Sequence, residues 1–253
     1  MALAAGGTPE IAVRLAVAMT SLQVAIGALN DVVDAPRDGG RAPSKPIPAG
    51  LVPMRLARAV FVVAAVTGLL LVVPSGAGTV AVAVAGLGCG VAYDLLLSRT
   101  ALSWLPLAVA LPLVPVYAWL GATGALPLAI LVIVPIAVLA GGGLAVGNAL
   151  VDVEADRASN RATVAVAIGR VAAWRLHAVA LGSASVLAVA LLPSDGRSIS
   201  LPVIAVGTVG LGAGIVMALA GTASWRRLAW QLEAAGVATI GVGWILAIAS
   251  RPV

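Results

Sequence analysis

Long apolar runs separated by short polar breaks dominate the chain. Eight stretches reach the ~20 mostly apolar residues that a membrane-spanning helix requires: Ile11–Asn30, Met54–Val73, Ala77–Leu97, Ala101–Leu120, Leu126–Ala149, Val171–Leu192, Ile199–Gly221 and Leu228–Ser250. The breaks between them, "VPSGAG", "GATG" and "LPSDGRS" among them, carry the Pro and Gly expected of turns between antiparallel helices. The pattern predicts an all-α, multi-pass transmembrane bundle of about eight helices with no soluble domain left over.

Composition agrees. Of 253 residues, 61% are hydrophobic and 10% are charged, too apolar for a soluble domain whose surface must carry many charges. The start "MALAAGGTPE" lacks a positive n-region and the apolar run after it is too long for an h-region, so no cleavable signal peptide is expected. Charge placement then orients the helices, because cytoplasmic loops collect Lys and Arg near the helix ends. With the N-terminus outside, alternate loops carry Arg37, Arg41, Lys45, Arg55 and Arg58, then Arg99, then Arg157, Arg161, Arg170 and Arg175, then Arg226 and Arg227. The opposite loops hold Arg197, with Arg14 and Arg251 near the remaining ends. The net charge of +5 records this bias, and no basic run with interleaved aromatics points to nucleic acid. The single Cys89 excludes an internal disulfide and a Cys-based metal site.

The acidic residues gather at two places. "GALNDVVDAPRDGGRAPSKPIPAG", Gly27 to Gly50, holds Asp31, Asp34 and Asp38; "GNALVDVEADRASNRATVAVAIG", Gly147 to Gly169, holds Asp152, Glu154 and Asp156. On a helix, Asp31, Asp34 and Asp38 at i, i+3, i+7 share one face, as do Asp152 and Asp156 at i, i+4. Pro36, Gly39 and Gly40 predict that the first helix loosens or ends there. Asn30 and Asn148 precede the clusters and add neutral amide ligands. Carboxylates converging at a helix end repel one another unless a cation sits between them. Hard oxygen ligands select Mg²⁺, which is commonly shared between carboxylates and substrate phosphates. The two clusters thus predict two parts of a Mg²⁺ and diphosphate site on the cytoplasmic face, with Arg41, Lys45, Arg157 and Arg161 near enough in sequence to take phosphate oxygens.

At these residues the sequence resembles the UbiA-type intramembrane prenyltransferase superfamily. The family's first motif, N-D-x-x-D-x-x-x-D, is met by Asn30, Asp31, Asp34 and Asp38 and continues into "KPIPAG" at Lys45 to Gly50. The second, D-x-x-x-D, is met by Asp152 and Asp156 and followed by the T-x-A-x-x-x-G tail at Thr163, Ala165 and Gly169. The resemblance runs over nearly the whole chain and implies a single domain, residues 1–253, of helices around a central cavity open to the cytoplasm. It further implies a polyprenyl diphosphate donor bound through Mg²⁺ and a small lipophilic acceptor. Metal ligands would be Asn30, Asp31, Asp34, Asp38, Asp152 and Asp156. Asn30, Arg41, Lys45, Arg99, Asn148, Arg157 and Arg161 would contact the diphosphate. The family usually has nine helices, and here only Met1 to Leu29 precede Asn30, so its first helix is expected to be missing. Ser98 occupies the position of a family lysine, with Arg99 beside it as the substitute phosphate contact.

The reaction implied is Mg²⁺-dependent prenyl transfer within the cell membrane. Two competitors stand beside it: a terpene cyclase ionising the same donor without an acceptor, and a non-catalytic membrane protein that binds a lipid diphosphate. The low aromatic content, 4%, favours transfer over cyclisation, which guides cations with aromatic faces. Tyr93 and Asp94, after the third helix, suit orienting or deprotonating an acceptor; the alternative is an interfacial Tyr with a solvated Asp. His177 is expected to be packed or interfacial, and the six tryptophans to form interfacial belts. Gly141, Gly142, Gly143 and Gly147 permit close helix contact.

Overall fold

The structure is a computed structural model and describes residues 1–38, 45–194, 197–219 and 222–249, the side chains of Arg37 and Asp38 excepted. Every regular element among the described residues is helical: α1 Pro9–Asp38, α2 Met54–Val72, α3 Ala77–Ala92, α4 Leu105–Thr123, α5 Ala129–Val151, α6 Val153–Ala158, α7 Val164–Ile168, α8 Arg170–Ala190, α9 Arg197–Met217 and α10 Ala223–Ala249. A short 3₁₀ turn, Val73–Ser75, follows α2, and a wide π-type turn, Tyr93–Leu97, follows α3. Eight segments are long and apolar enough to cross a membrane. The protein is an all-α, multi-pass membrane protein.

The helix ends differ from the hydropathy pattern where polar residues find partners. α1 continues past Pro36 to Asp38, so the first acidic cluster lies in its last turns. Pro36 removes one N–H close to the helix end, where few further bonds are at stake. α4 starts at Leu105 rather than Ala101, because residues 100–105 form turns closed by Ser103 N–H to Thr100 (3.0 Å) and Leu105 N–H to Leu102 (3.0 Å). α10 starts at Ala223 rather than Leu228 and takes Arg226 and Arg227 into the helix.

Two compact units divide the chain. Residues 2–96 with 116–125 form one. Its core is a stripe on α1 at spacings of three and four, Leu15, Ala18, Leu22, Ala25 and Leu29, the period that keeps one helix face inward. Gly68 of α2 lets that face approach: a Cβ there would stand 2.8 Å from the Leu22 side chain and 3.0 Å from the Ala18 carbonyl. Tyr117 donates its hydroxyl to the Leu15 carbonyl (3.1 Å), and Arg14 Nη2 donates to Ser75 Oγ (2.8 Å).

The second unit comprises residues 97–115 and 126–253. Leu144, Leu181, Ile204, Leu211, Ile240 and Trp244 belong to its largest buried cluster. Lipid tails are as apolar as leucine, so membrane helices associate through close packing and hydrogen bonds rather than hydrophobic burial. Both are visible. A Cβ on Gly207 of α9 would lie 2.7 Å from the Gly236 carbonyl of α10, and a Cβ on Gly236 2.7 Å from the Gly207 carbonyl. Trp174 donates its indole N–H to Ile215 (3.1 Å), Trp230 to Leu144 (2.9 Å) and Trp244 to Ala188 (2.9 Å). Each such bond contributes about 0.6 kcal/mol in membrane helices. These three tryptophans tie helices together, and Trp119 and Trp244 are buried, whereas Trp225 is exposed as an interfacial residue would be.

Candidate active site

In the first unit, the N-D-x-x-D motif occupies the last turns of α1. Asn30 Nδ2 donates to Asp94 Oδ1 at 2.9 Å. Asp94 is buried within the π-type turn, and its Oδ2 has no hydrogen-bond partner among the described residues. A π-type turn adds one residue to the helical repeat and is frequent at functional sites. Here it sets Asp94 against Asn30. Asp34 lies near enough for its charge to act on Asp94. Asp31, Asp34, Lys45 and Tyr93 are half-buried. Lys45 opens a compact turn closed by Ala49 N–H to the Lys45 carbonyl (2.9 Å) and Leu51 N–H to Pro46 (2.9 Å). Arg41 and the Asp38 side chain lie outside the described residues.

The second motif forms in the other unit, across a helix break. α5 stops at Val151, Asp152 adopts φ −109° and ψ 16°, and α6 restarts at Val153. The i, i+4 relationship survives as a backbone bond from Asp156 N–H to the Asp152 carbonyl (2.8 Å). The two side chains nevertheless occupy different surroundings: Asp152 is exposed, with Arg227 Nη2 3.6 Å away, and Asp156 is buried. Asp156 Oδ2 accepts from Thr163 Oγ1 (3.1 Å) and Oδ1 lies 3.7 Å from Arg161 Nη1.

A chain reversal delivers those partners. Asn160 takes the left-handed conformation (φ 53°), its N–H bonds the Arg157 carbonyl (3.2 Å), and the Arg161 N–H bonds the Asp156 carbonyl (3.0 Å). This is the Schellman pattern that ends a helix by turning the chain back. The loop after α3 then clasps the returning strand of chain: Ala162 N–H bonds the Arg99 carbonyl (3.0 Å) and Val164 N–H bonds Ser103 Oγ (3.3 Å). The Arg99 side chain is half-buried, and Asn148 and Arg157 are exposed.

Glu154, between the two motif aspartates, pairs with Arg226 of α10 and stands 3.8 Å from Arg170 of α8. Deeper in the unit, His177 donates from Nδ1 to the Gly143 carbonyl (2.8 Å) and meets Glu233 Oε1 through Nε2 (3.0 Å), both side chains essentially without solvent contact. A carbonyl only accepts, so Nδ1 carries a proton and the His177–Glu233 gap holds one more. Gly147 makes room: a Cβ there would lie 2.7 Å from the imidazole. The packed histidine expected from sequence is thus half of a buried ionisable pair. Glu233 and Arg226, seven residues apart on one apolar helix, carried the signal, since ionisable groups inside membrane helices pair with one another.

Among the described residues, no three His, Cys, Asp or Glu side chains converge into a ready metal cage. The donor set still fits Mg²⁺, which is usually held by one or two carboxylates together with substrate phosphates rather than by an all-protein cage. Within their own units, the half-buried Asp31 and Asp34 and the exposed Asp152 are carboxylates of that kind.

The sequence profile described as the UbiA prenyltransferase family matches residues 1–233. Among solved structures, the chain is similar to the apo structure of a UbiA homologue from Aeropyrum pernix K1 (20% identity, TM-score 0.79, covering 96% of this chain and 92% of that one). It is also similar to a UbiA homologue from Archaeoglobus fulgidus bound to GPP and Mg²⁺ (17% identity, TM-score 0.72, 95% and 93%). A third likeness is to a structure concerned with digeranylgeranylglyceryl phosphate synthase in membranes (13% identity, TM-score 0.68, 96% and 88%). No curated protein matches the chain by sequence.

Proposed function

The chain belongs to the UbiA prenyltransferase family, and on that premise we propose that it carries out Mg²⁺-dependent transfer of an isoprenoid chain from a polyprenyl diphosphate to a small lipophilic acceptor inside the membrane. Residues 1–253 act as one catalytic domain, with the active site facing the cytoplasm, the side on which the arginine-rich loops gather.

The observation that carries this reading is the setting of the first motif: Asn30 is held by Asp94, so the N-D-x-x-D motif and the Tyr93–Asp94 turn form one polar cluster at the end of α1. The likeness to a homologue bound to GPP and Mg²⁺ supports the donor class. Asn30, Asp31 and Asp34, with Asp38 beyond them, and Asp152 and Asp156 supply the oxygen ligands for Mg²⁺. When bound, Mg²⁺ supplies the electrophilic charge that draws off the diphosphate leaving group.

The remaining steps belong to the chain. Lys45, Arg99 and Arg157, with Arg41 and Asn148, offer donors to the phosphate oxygens. Arg161 divides its charge between the diphosphate and Asp156. The buried carboxylate of Asp156, fixed by Thr163, holds its oxygens in one orientation. Departure of diphosphate leaves an allylic cation that water would capture, and the apolar helices keep water away until an acceptor attacks. Tyr93 and Asp94 orient that acceptor, and the Asp94 carboxylate receives its proton.

The test is to incubate the purified protein with Mg²⁺ and labelled geranylgeranyl diphosphate, first alone and then with membrane extract. A new lipid conjugate formed with extract alone supports transfer. Diphosphate release with a cyclic hydrocarbon in the absence of extract assigns a cyclase, and binding without release across several donor lengths assigns a non-catalytic lipid diphosphate-binding protein.

A further inference from the structure

α10 enters the second unit with two consecutive arginines of opposite character. The Arg227 side chain is 65% exposed and reaches toward Asp152; the Arg226 side chain is 3% exposed. A guanidinium cannot be buried without partners. Arg226 Nη2 donates to the Val151 carbonyl at 3.3 Å and also to the Glu154 carboxylate. Val151 is the last residue of α5, and Glu154 lies in the first turn of α6.

The last carbonyls of a helix have no partner within it, and a cation near them also meets the negative end of the helix dipole. One nitrogen of Arg226 therefore caps α5 and grips α6 at the same time. The only residue between those two helices is Asp152, in a conformation that neither helix imposes. We propose that Arg226 is a positioning residue for the second aspartate motif, fixing the helix junction from which Asp152 is presented.

The assignment rests on the reading of that motif as Mg²⁺ and diphosphate binding. Arg226 makes no claim on the substrate: it acts through Val151 and Glu154. Glu154 is its necessary partner, and Arg170 at the start of α8 supports that carboxylate from the other side at 3.8 Å. Both contacts are made by Arg226 Nη2; lysine keeps the positive charge and its donors but on a compact ammonium of different reach and shape.

The measurement is Mn²⁺ binding by electron paramagnetic resonance in the presence of inorganic diphosphate, on full-length protein in lipid nanodiscs. Arg226→Gln is expected to weaken Mn²⁺ binding by about tenfold or more, as removal of outer-shell partners of metal ligands does. Glu154→Gln keeps an oxygen acceptor for Arg226 and removes only the charge, at a side chain more than half exposed; it shifts affinity the same way, and Arg226→Lys recovers part of the loss. Trp230→Phe deletes the α10 to α5 bond at Leu144, away from the junction. It is expected to lower the thermal midpoint and leave Mn²⁺ binding unchanged.

Wild-type affinity in both Arg226→Gln and Glu154→Gln overturns the proposal. So does a Trp230→Phe protein that loses Mn²⁺ affinity as strongly as Arg226→Gln, because Arg226 would then be acting through general stability. If the wild-type protein binds no Mn²⁺ with diphosphate, or Asp152→Asn binds it as tightly as wild type, the reading of the motif falls and the inference with it. Loss in Asp152→Asn with no loss in the Arg226 and Glu154 variants sinks the inference alone.

Discussion

Asn30 and Asp94 are joined by a 2.9 Å hydrogen bond across 64 positions of sequence. The bond fixes the side-chain amide of Asn30 so that its nitrogen faces the buried carboxylate and its oxygen is the atom left for a cation. It also makes Asp94 part of the first motif's surroundings, although nothing in the sequence joins them.

Asn30→Ala leaves the buried Asp94 carboxylate without the one hydrogen-bond donor assigned to it. Loss of a partner to a buried acceptor costs about 1–3 kcal/mol. The variant is expected to show a lower thermal midpoint and little or no turnover of prenyl diphosphate. Full activity in Asn30→Ala would remove Asn30 from the proposed metal site.

Asp31→Ala and Asp152→Ala are expected to abolish turnover while the protein still inserts in the membrane with its normal helical content, read by circular dichroism. Neither carboxylate is buried, so their loss disturbs packing little. Retained turnover in either variant would refute the two-motif assignment.

The His177–Glu233 pair predicts strong non-additivity. Removing one member of a buried pair strands the other and costs about 3–5 kcal/mol, whereas replacing both with apolar residues of similar size is often neutral. His177→Leu and Glu233→Met alone should each destabilise the protein severely. The double variant should recover most of the loss in equilibrium unfolding measured in detergent, and additive losses would show that the two side chains act independently.

Asn160 stands in the left-handed conformation that turns the chain back onto Asp156. Asn160→Gly keeps that turn, while Asn160→Val forces a β-branched side chain into a conformation costing roughly 1–2 kcal/mol. Thermal unfolding should separate the two variants by that order. Equal midpoints would mean that the reversal is held from elsewhere.

Two glycines of α9 should respond oppositely to alanine. A Cβ on Gly207 meets the backbone of α10 at 2.7 Å, which moves only if the helices part, whereas Gly212 has nothing within 4 Å. Gly207→Ala is expected to destabilise, and Gly212→Ala to stabilise by up to about 1 kcal/mol through helix propensity. Denaturation in detergent reads both signs.

The eight membrane spans were legible in the sequence because each needs only length and apolar character, properties local to the run. The two aspartate motifs were legible for the same reason: their spacing is short and falls on one or two helical turns. Family membership followed from those local signals taken together. Helix ends were less legible: α10 starts five residues before the apolar run at Leu228 and takes in Arg226, whose partners lie about seventy residues away.

Tertiary structure alone decided which polar groups meet. It placed Asp94 on Asn30, Arg226 on Val151 and Glu154, Glu233 on His177, and Thr163 on Asp156. It also separated Asp152 from Asp156, one exposed and one buried, though the sequence presents them as equals. The physical reason is that hydropathy fixes where a helix crosses the membrane but not its rotation or depth. In an apolar medium those are set by the few contacts that each buried polar group must find, and such partners can lie anywhere along the chain.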